Sequence, residues 1–291
     1  MILDISTISL GARAHYLQHA IGPRPICFAS TVDEKGQVNL SPFSFFNLFS
    51  LNPPVCIFSP SRSGRDNSTK HTLENVLEVP EVVIQMLDYD MVQQASLASC
   101  EYPRGINEFV KAGFTQEPAT LVRPPMVRES KIKMECRVLE VKQLGDLPGS
   151  GNLVLCEILR MHIDDSLLTD TGRMDQKKIS LVARLGGDWY CRVDPSNLFE
   201  VEKPMTHLGA GVDALPVAIR ESRVLTGNNL GQLANLSSVP EVDPAFSDER
   251  LRSIVQYYSH DPAELEGELH RYARQLLEEG KVREAWQVLL T

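Results

Sequence analysis

The chain lacks the marks of several common catalytic chemistries. It contains no G-x-x-x-x-G-K-[S/T], no H-E-x-x-H and no G-x-S-x-G run, so nucleotide hydrolysis on a phosphate loop, zinc peptidase chemistry and serine hydrolysis are without their usual residues. Its cysteines, Cys27, Cys56, Cys100, Cys136, Cys156 and Cys191, are scattered, with no C-x-x-C pair and no histidine at metal-ligand spacing. Four of them fall in apolar, strand-like runs, where cysteine behaves as a small hydrophobe. Positive charge is in deficit, 29 Lys and Arg against 38 Asp and Glu, which argues against nucleic acid as the main partner. No apolar run approaches the length of a membrane-spanning helix, and Met1 to Ser6 has neither the cationic region nor the apolar core of an export signal. A cytoplasmic location is the expectation.

With 291 residues, 43% of them hydrophobic, the chain has enough apolar material for one large or two modest domains. Residues 12–20 read as a short helix with His15 and His19 on one face, and no third metal ligand is evident. Strands are expected at 24–32, 54–58 and 81–87. Residues 131–138 alternate charged and apolar side chains at period two, the pattern of a half-buried antiparallel strand, and 152–163 form a second long strand, apolar on both faces. Residues 88–98 and 106–112 read as helices, the latter stopped at Gly113. Many strands with turn signals between them, and few long helices before residue 193, argue for a barrel.

The richest stretch runs from Asn39 to Asn75. Phe43, Phe45, Phe46 and Phe49 alternate with Asn39, Ser41, Ser44, Asn47 and Ser50, which sets apolar surface beside many hydrogen-bonding groups. After the strand comes a loop of Ser59, Ser61, Arg62, Ser63, Arg65, Ser68, Thr69, Lys70, His71 and Thr72, a local basic and hydroxyl-rich segment on an acidic protein. Such a segment suits an anion. Thr72 is expected to cap a short helix that stops near Val79 because Pro80 follows, and the unpaired N–H groups at its start would favour a phosphate.

On these residues the sequence resembles the flavin reductase-like proteins that bind FMN in a split β-barrel. The resemblance rests on Gly22-Pro23-Arg24-Pro25, Ala29-Ser30-Thr31, Asn39 to Phe46, Asn52-Pro53-Pro54, Lys70-His71-Thr72 with Asn75, Asn107 to Thr115, and Arg184 to Tyr190, and covers roughly residues 14–193. It implies a mainly β protein with peripheral helices, a split barrel, with a helical C-terminal extension following it. It also implies an FMN site at or near the interface of a homodimer. Asn39, Ser41, Phe43, Phe45, Asn47, Ser59, Ser61, Lys70, His71 and Thr72 become expected cofactor contacts. Lys111 joins them because the helix carrying it lies beside the cofactor in the family. His162 is expected against the flavin as the catalytic candidate, because family members place a histidine at the matching strand end.

From residue 194 the character changes. Leu208-Gly209-Ala210-Gly211-Val212 lacks the third glycine, the preceding strand and the following helix of a dinucleotide loop. Residues 201–240 read as an extension or linker and 241–291 as a helical hairpin, giving a barrel domain over 1–200. Ser247 is expected to cap the first helix of that hairpin. Leu265, Leu269, Tyr272 and Leu276, then Val282, Ala285, Trp286 and Leu289, make an apolar stripe resembling the second half of one tetratricopeptide-type repeat, destined for the barrel, its own hairpin or a partner.

The expected activity is that of a flavin reductase: NADH or NADPH delivers hydride to bound FMN, stacking directly on it because the chain has no dinucleotide-binding domain, and the electrons pass to an acceptor. The alternative is an FMN electron-transfer protein serving protein redox partners, with the C-terminal helices as the candidate partner surface, without oxidising NAD(P)H itself. A barrel that has lost its flavin is disfavoured by Asn39, Lys70 and Thr72.

Overall fold

The computed structural model describes residues 1–204 and 207–291. Contacts divide the chain into two compact units, Met1–Phe199 and Glu200–Thr291. Two residues of the span read as a linker, 205 and 206, lie outside the described residues.

The first unit opens with helix α1 (Leu10–Ala20), two residues longer at its start than expected because the Ser9 hydroxyl accepts from the Ala12 amide and caps it. Seven strands then make one antiparallel sheet: β1 (Cys27–Val32), β2 (Val38–Phe43), β3 (Phe46–Leu51), β4 (Pro54–Phe58), β5 (Glu81–Met86), β6 (Ile132–Gln143) and β7 (Asn152–Ile163). Their spatial order is β2-β1-β5-β6-β7-β4-β3. Strands β2 and β3 therefore lie at opposite edges although only Ser44 and Phe45 separate them in the chain. Laid flat, the six inter-strand gaps would span about 29 Å, whereas three Cα steps reach about 11 Å at most. The sheet has to curl until its edges meet, which makes a split barrel with its seam at Ser44 and Phe45. Inside lie Cys27, Ala29, Cys56, Phe58, Val82, Ile84, Cys136, Val154 and Cys156, all nearly inaccessible to solvent. The scattered cysteines of the strands are thus small core residues.

Helix α2 (His71–Glu78) adds Leu73 and Val76 to that core. On the other side of β1, Ile26 and Phe28 pack with Leu40 and with α3 (Val92–Ala98) and α4 (Glu108–Ala112), which explains why every residue of β1 is buried. Gly113 ends α4 at φ 73°, a left-handed conformation that glycine adopts without a Cβ penalty. The expected helix over 88–98 begins as a 3-10 turn at Tyr89–Met91, where the Asp88 carboxylate accepts from the Asp90 amide. Strand β7 keeps its expected limits, but only one face is buried along its first half, and Leu159 and Met161 of its second half are largely exposed. A hairpin, β8 (Val182–Arg184) and β9 (Tyr190–Arg192), pairs with Arg24–Pro25 in a separate small sheet.

The second unit is helical: α5 (Val217–Arg220), α6 (Gly227–Ala234), α7 (Glu249–Tyr257), α8 (Pro262–Glu278) and α9 (Val282–Leu289). Its core joins Leu215, Ile219 and Leu233 to Leu269, Tyr272, Leu276 and Trp286. The Trp286 indole N–H reaches the Leu233 carbonyl at 3.2 Å, so the apolar stripe of the C-terminal helices packs within its own unit. Asp248, not Ser247, caps α7: its carboxylate accepts from the Leu251 amide, while Ser247 is engaged by the Arg252 guanidinium.

Candidate functional site

The site is built around the start of α2. Pro80 fixes where that helix ends, and an extended Lys70, with φ −83° and ψ 142°, fixes where it begins. The helix therefore starts at His71, two residues earlier than a Thr72 cap requires. Thr72 lies inside the first turn, buried, and its hydroxyl donates to the Asn39 side-chain carbonyl at 2.6 Å. The Asn39 amide nitrogen in turn donates to the Glu108 carboxylate at 2.9 Å, and the Leu40 amide donates to its other oxygen at 3.0 Å. A line of bonded polar groups thus runs from α2 across β2 to α4. Burial pushes the Glu108 carboxyl up from its ordinary value, against the Leu40 amide, the Asn39 side chain and the His71 charge, which pull it down.

A cavity of about 500 Å³ opens beside this line, with Ser68, Thr69, Lys70, His71 and Thr72 on one side and Ser99 to Tyr102 on the other. In it the Glu101 carboxylate meets Lys70 at 3.3 Å and the Arg65 guanidinium. The cations nominated from sequence as anion ligands therefore hold a carboxylate. Ser41, Lys70 and Ser99 also line an adjoining second chamber of about 360 Å³, walled by Phe43 and Phe45 with the hydroxyls of Ser59 and Ser61. The structure thus gathers Asn39, Ser41, Lys70, His71 and Thr72 around one chamber and Ser41, Phe43, Phe45, Ser59, Ser61 and Lys70 around its neighbour.

Three nominated residues fall outside these linings. Asn47 is exposed on β3 and accepts from the Leu48 amide. The Lys111 ammonium lies 5.8 Å from the centre of the Tyr102 ring, behind a residue that lines the first chamber. His162 sits at the far end of β7: Val154 pairs with Phe58 next to the chambers, and eight residues further along the strand is about 26 Å. Its Nε2 donates at 2.7 Å to Glu135, a fully buried carboxylate.

Other residues at the site carried no role in the sequence. Glu101 and Tyr102 belong to an irregular segment after α3, which no periodicity marks. Arg24 is nearly buried and donates to the carbonyls of Gln18, Ile21 and Leu185, which ties the end of α1 to the hairpin turn. A Cβ at Gly186 would lie 2.2 Å from the His19 ring, so glycine at this position lets a side chain of α1 lie against the hairpin turn.

Residues 21–178 match the model of the flavin reductase like domain. The chain belongs to that family. An uncharacterized protein of Halalkalibacterium halodurans is 31% identical over 206 residues, 69% of this chain and 97% of its own. Among solved structures, nitrilotriacetate monooxygenase component B from Bacillus cereus superposes with a TM-score of 0.64 at 26% identity, covering 69% of this chain and 98% of its own. A split-barrel domain protein from Shewanella frigidimarina gives 0.59 at 27% identity, over 68% and 96%. The flavin reductase-like match stops short of Glu200–Thr291, so the helical unit lies outside it. Among the described residues no three His, Cys, Asp or Glu side chains are grouped to hold a metal ion, the His15–His19 pair included, and no helix is long and apolar enough to cross a membrane.

Proposed function

We propose that this flavin reductase-like protein is an FMN-dependent oxidoreductase that takes hydride from NADH or NADPH and passes the electrons to an acceptor. The observation that carries this reading is the Glu101 carboxylate held by Lys70 and Arg65 in a chamber that adjoins an aromatic one. An anion already stands where a phosphate would, and a flat apolar ring would lie next to it between Phe43 and Phe45. Lys70 and the N–H groups of His71 and Thr72 at the start of α2 would hold the phosphate, the Ser68 and Thr69 hydroxyls being given to Asp66 and Glu74. Asn39 and Thr72 brace that corner through Glu108. Bound FMN supplies the hydride-accepting and electron-passing chemistry that amino-acid side chains lack. The protein's part is to fix the ring, limit water and leave one face open to the donor.

Phe45 at the seam and Phe49 and Leu51 on the edge strand β3 are 46%, 64% and 81% exposed. An apolar edge of this kind favours a homodimer with the flavin near the interface. A second reading, an FMN electron-transfer protein working with protein redox partners, is favoured by the helical unit that lies outside the family match.

The test is a flavin titration followed by anaerobic addition of NADH or NADPH. Lys70→Met is expected to weaken FMN by about one to two powers of ten and to leave riboflavin nearly unaffected, since a bond to a charged group is worth roughly 1.5 to 3 kcal/mol. Equal losses for both flavins would move the phosphate elsewhere. Flavin bound but bleached by neither nucleotide would favour the second reading.

A further inference from the structure

Beside the flavin chambers lies a third cavity, of about 400 Å³, between α3 and the β8–β9 hairpin. Two arginines enter it, each laid over a tyrosine: the Arg184 guanidinium carbon is 4.5 Å from the centre of the Tyr190 ring, and that of Arg192 is 4.3 Å from the centre of Tyr89. Such stacking fixes the plane of a guanidinium and leaves its edge free to bond. Arg184 is already committed, to the Tyr190 hydroxyl, to the Gly187 carbonyl and, at 3.9 Å, to the Asp188 carboxylate. Arg192 is not. Its Nε donates to the Ser180 hydroxyl at 2.8 Å, and its two terminal nitrogens have no hydrogen-bond or ion-pair partner among the described residues. The nearest acid along the chain, Asp194, accepts from Ser196 and feels the Arg192 charge without bonding to it. Gln93 and Ser96 on α3 add polar groups, and Asp188 is the one carboxylate in the lining.

The cavity adjoins the aromatic chamber, since Ser96, Arg184 and Tyr190 line both. We propose that it is a second anion subsite, one that takes the phosphate-bearing adenylate end of the pyridine dinucleotide donor. This rests on the flavin reductase reading and answers a question that reading leaves open: with the flavin phosphate held at Lys70, the donor's own charges need a separate home. A dinucleotide whose nicotinamide lies against the ring between Phe43 and Phe45 extends past Arg184 to the unengaged fork of Arg192. The fork bonds phosphate oxygens in pairs, and the tyrosine behind it keeps it in plane.

ADP, which carries the proposed anchor and no nicotinamide, is the probe. Calorimetric titration of ADP into flavin-free protein is expected to show one site that Arg192→Gln weakens about tenfold or more, that Arg192→Lys weakens less, and that Lys70→Met leaves intact. Thermal melts of the three variants identify any that fail to fold, and the lysine variant keeps the test usable if the glutamine variant does. With FMN bound, Arg192→Gln should raise KM for the dinucleotide about tenfold with kcat little changed, while KM for reduced nicotinamide mononucleotide, which has no adenylate, stays where it was. No ADP binding at millimolar concentration, binding indifferent to Arg192→Gln, or binding abolished by Lys70→Met but not by Arg192→Gln would each overturn the subsite. FMN titration of the same samples is read separately, so failure of the flavin reading registers there and not in the ADP result.

Discussion

Two buried glutamates at different places in the barrel unit have opposite fates, and the number of donors each receives decides which. Glu135 on β6 is fully buried and accepts from the Thr120, Leu121 and Val122 amides, the Thr120 hydroxyl and His162. Burial alone would push its carboxyl up, but these bonds outweigh it and bring it down to about 2. Glu108 is almost as inaccessible, yet it accepts only from the Asn39 side chain and the Leu40 amide, and there burial wins and raises it. The well-supplied carboxylate fastens the 120–122 loop to the sheet. The undersupplied one borders the Lys70 chamber and sets the orientation of Asn39 and, through it, Thr72. A polar group with all its partners holds the fold, and one left short of partners stands where a ligand is expected.

The sharpest way to break that contrast is to remove the charge from each in turn. Glu135→Gln puts an amide donor among donors and should cost about 3 kcal/mol, lowering Tm by roughly 6 to 12 °C. Glu108→Gln replaces a group that burial already drives toward neutrality and should change stability by about 1 kcal/mol or less. The pH dependence separates them further. Glu135 is depressed when folded, so its stabilisation is present above its unfolded value of 4.5 and is lost as pH falls from there to about 2. Glu108 is raised, so its contribution favours the folded state below 4.5 and fades as pH rises through its folded value. Acid melts of the wild type should therefore show a limb below pH 4.5 that Glu135→Gln lacks and Glu108→Gln keeps. Equal thermal losses in the two variants would end the comparison.

The loop that borders the two chambers was legible in the sequence as a candidate site because it is local: Ser59 to Thr72 lie on one loop and one helix start, where residue types alone suggest an anion. Strands were legible from period-two and apolar runs, and β7 kept its limits to the residue. Glu101, Arg24 and Arg192 were not, since each acts through a partner far away in the chain and none sits in a periodic pattern. Thr72 misled as a cap because Lys70, which has no capping side chain, takes the extended conformation instead. In the second unit α5 and α6 escaped notice: they have four and eight residues, and α6, GNNLGQLA, contains two glycines and two asparagines, too short and too poor in helix formers for a helical period to stand out. Only packing around Leu233 and Trp286 makes them helices of a core.

A middle-sized effect sharpens the comparison from the partner's side. His162 gives Glu135 one of its five bonds, so His162→Ala should cost about 1 kcal/mol, or roughly 2 to 4 °C in Tm. Lying about 26 Å along β7 from the chambers, it should leave flavin reduction by NAD(P)H unchanged in stopped-flow traces of FMN-saturated protein. A slowed reduction with an unchanged melt would return His162 to the cofactor, as the family resemblance implied.

The smallest expected effect concerns Glu101, the acid of the Lys70 chamber that pairs with Lys70 itself. Glu101 pairs with Arg65 and Lys70, but all three side chains are well exposed, from 37% to 76%, so water and salt weaken the pairing. Exposed pairs are worth about 0.2 to 1 kcal/mol, which caps the competition Glu101 offers a phosphate at about fivefold in affinity. Glu101→Gln should thus tighten FMN by up to about fivefold at low salt, leave riboflavin unmoved, and lose most of its advantage as ionic strength rises toward 1 M, where the screening length falls to about 3 Å. The same titration in the Lys70→Met background should show little gain, because the cation that both anions seek is gone. Weaker FMN binding in Glu101→Gln would mean that the carboxylate positions Lys70 for the phosphate, and the undersupplied end of the barrel would then depend on an acid at its surface as well as on the one it buries.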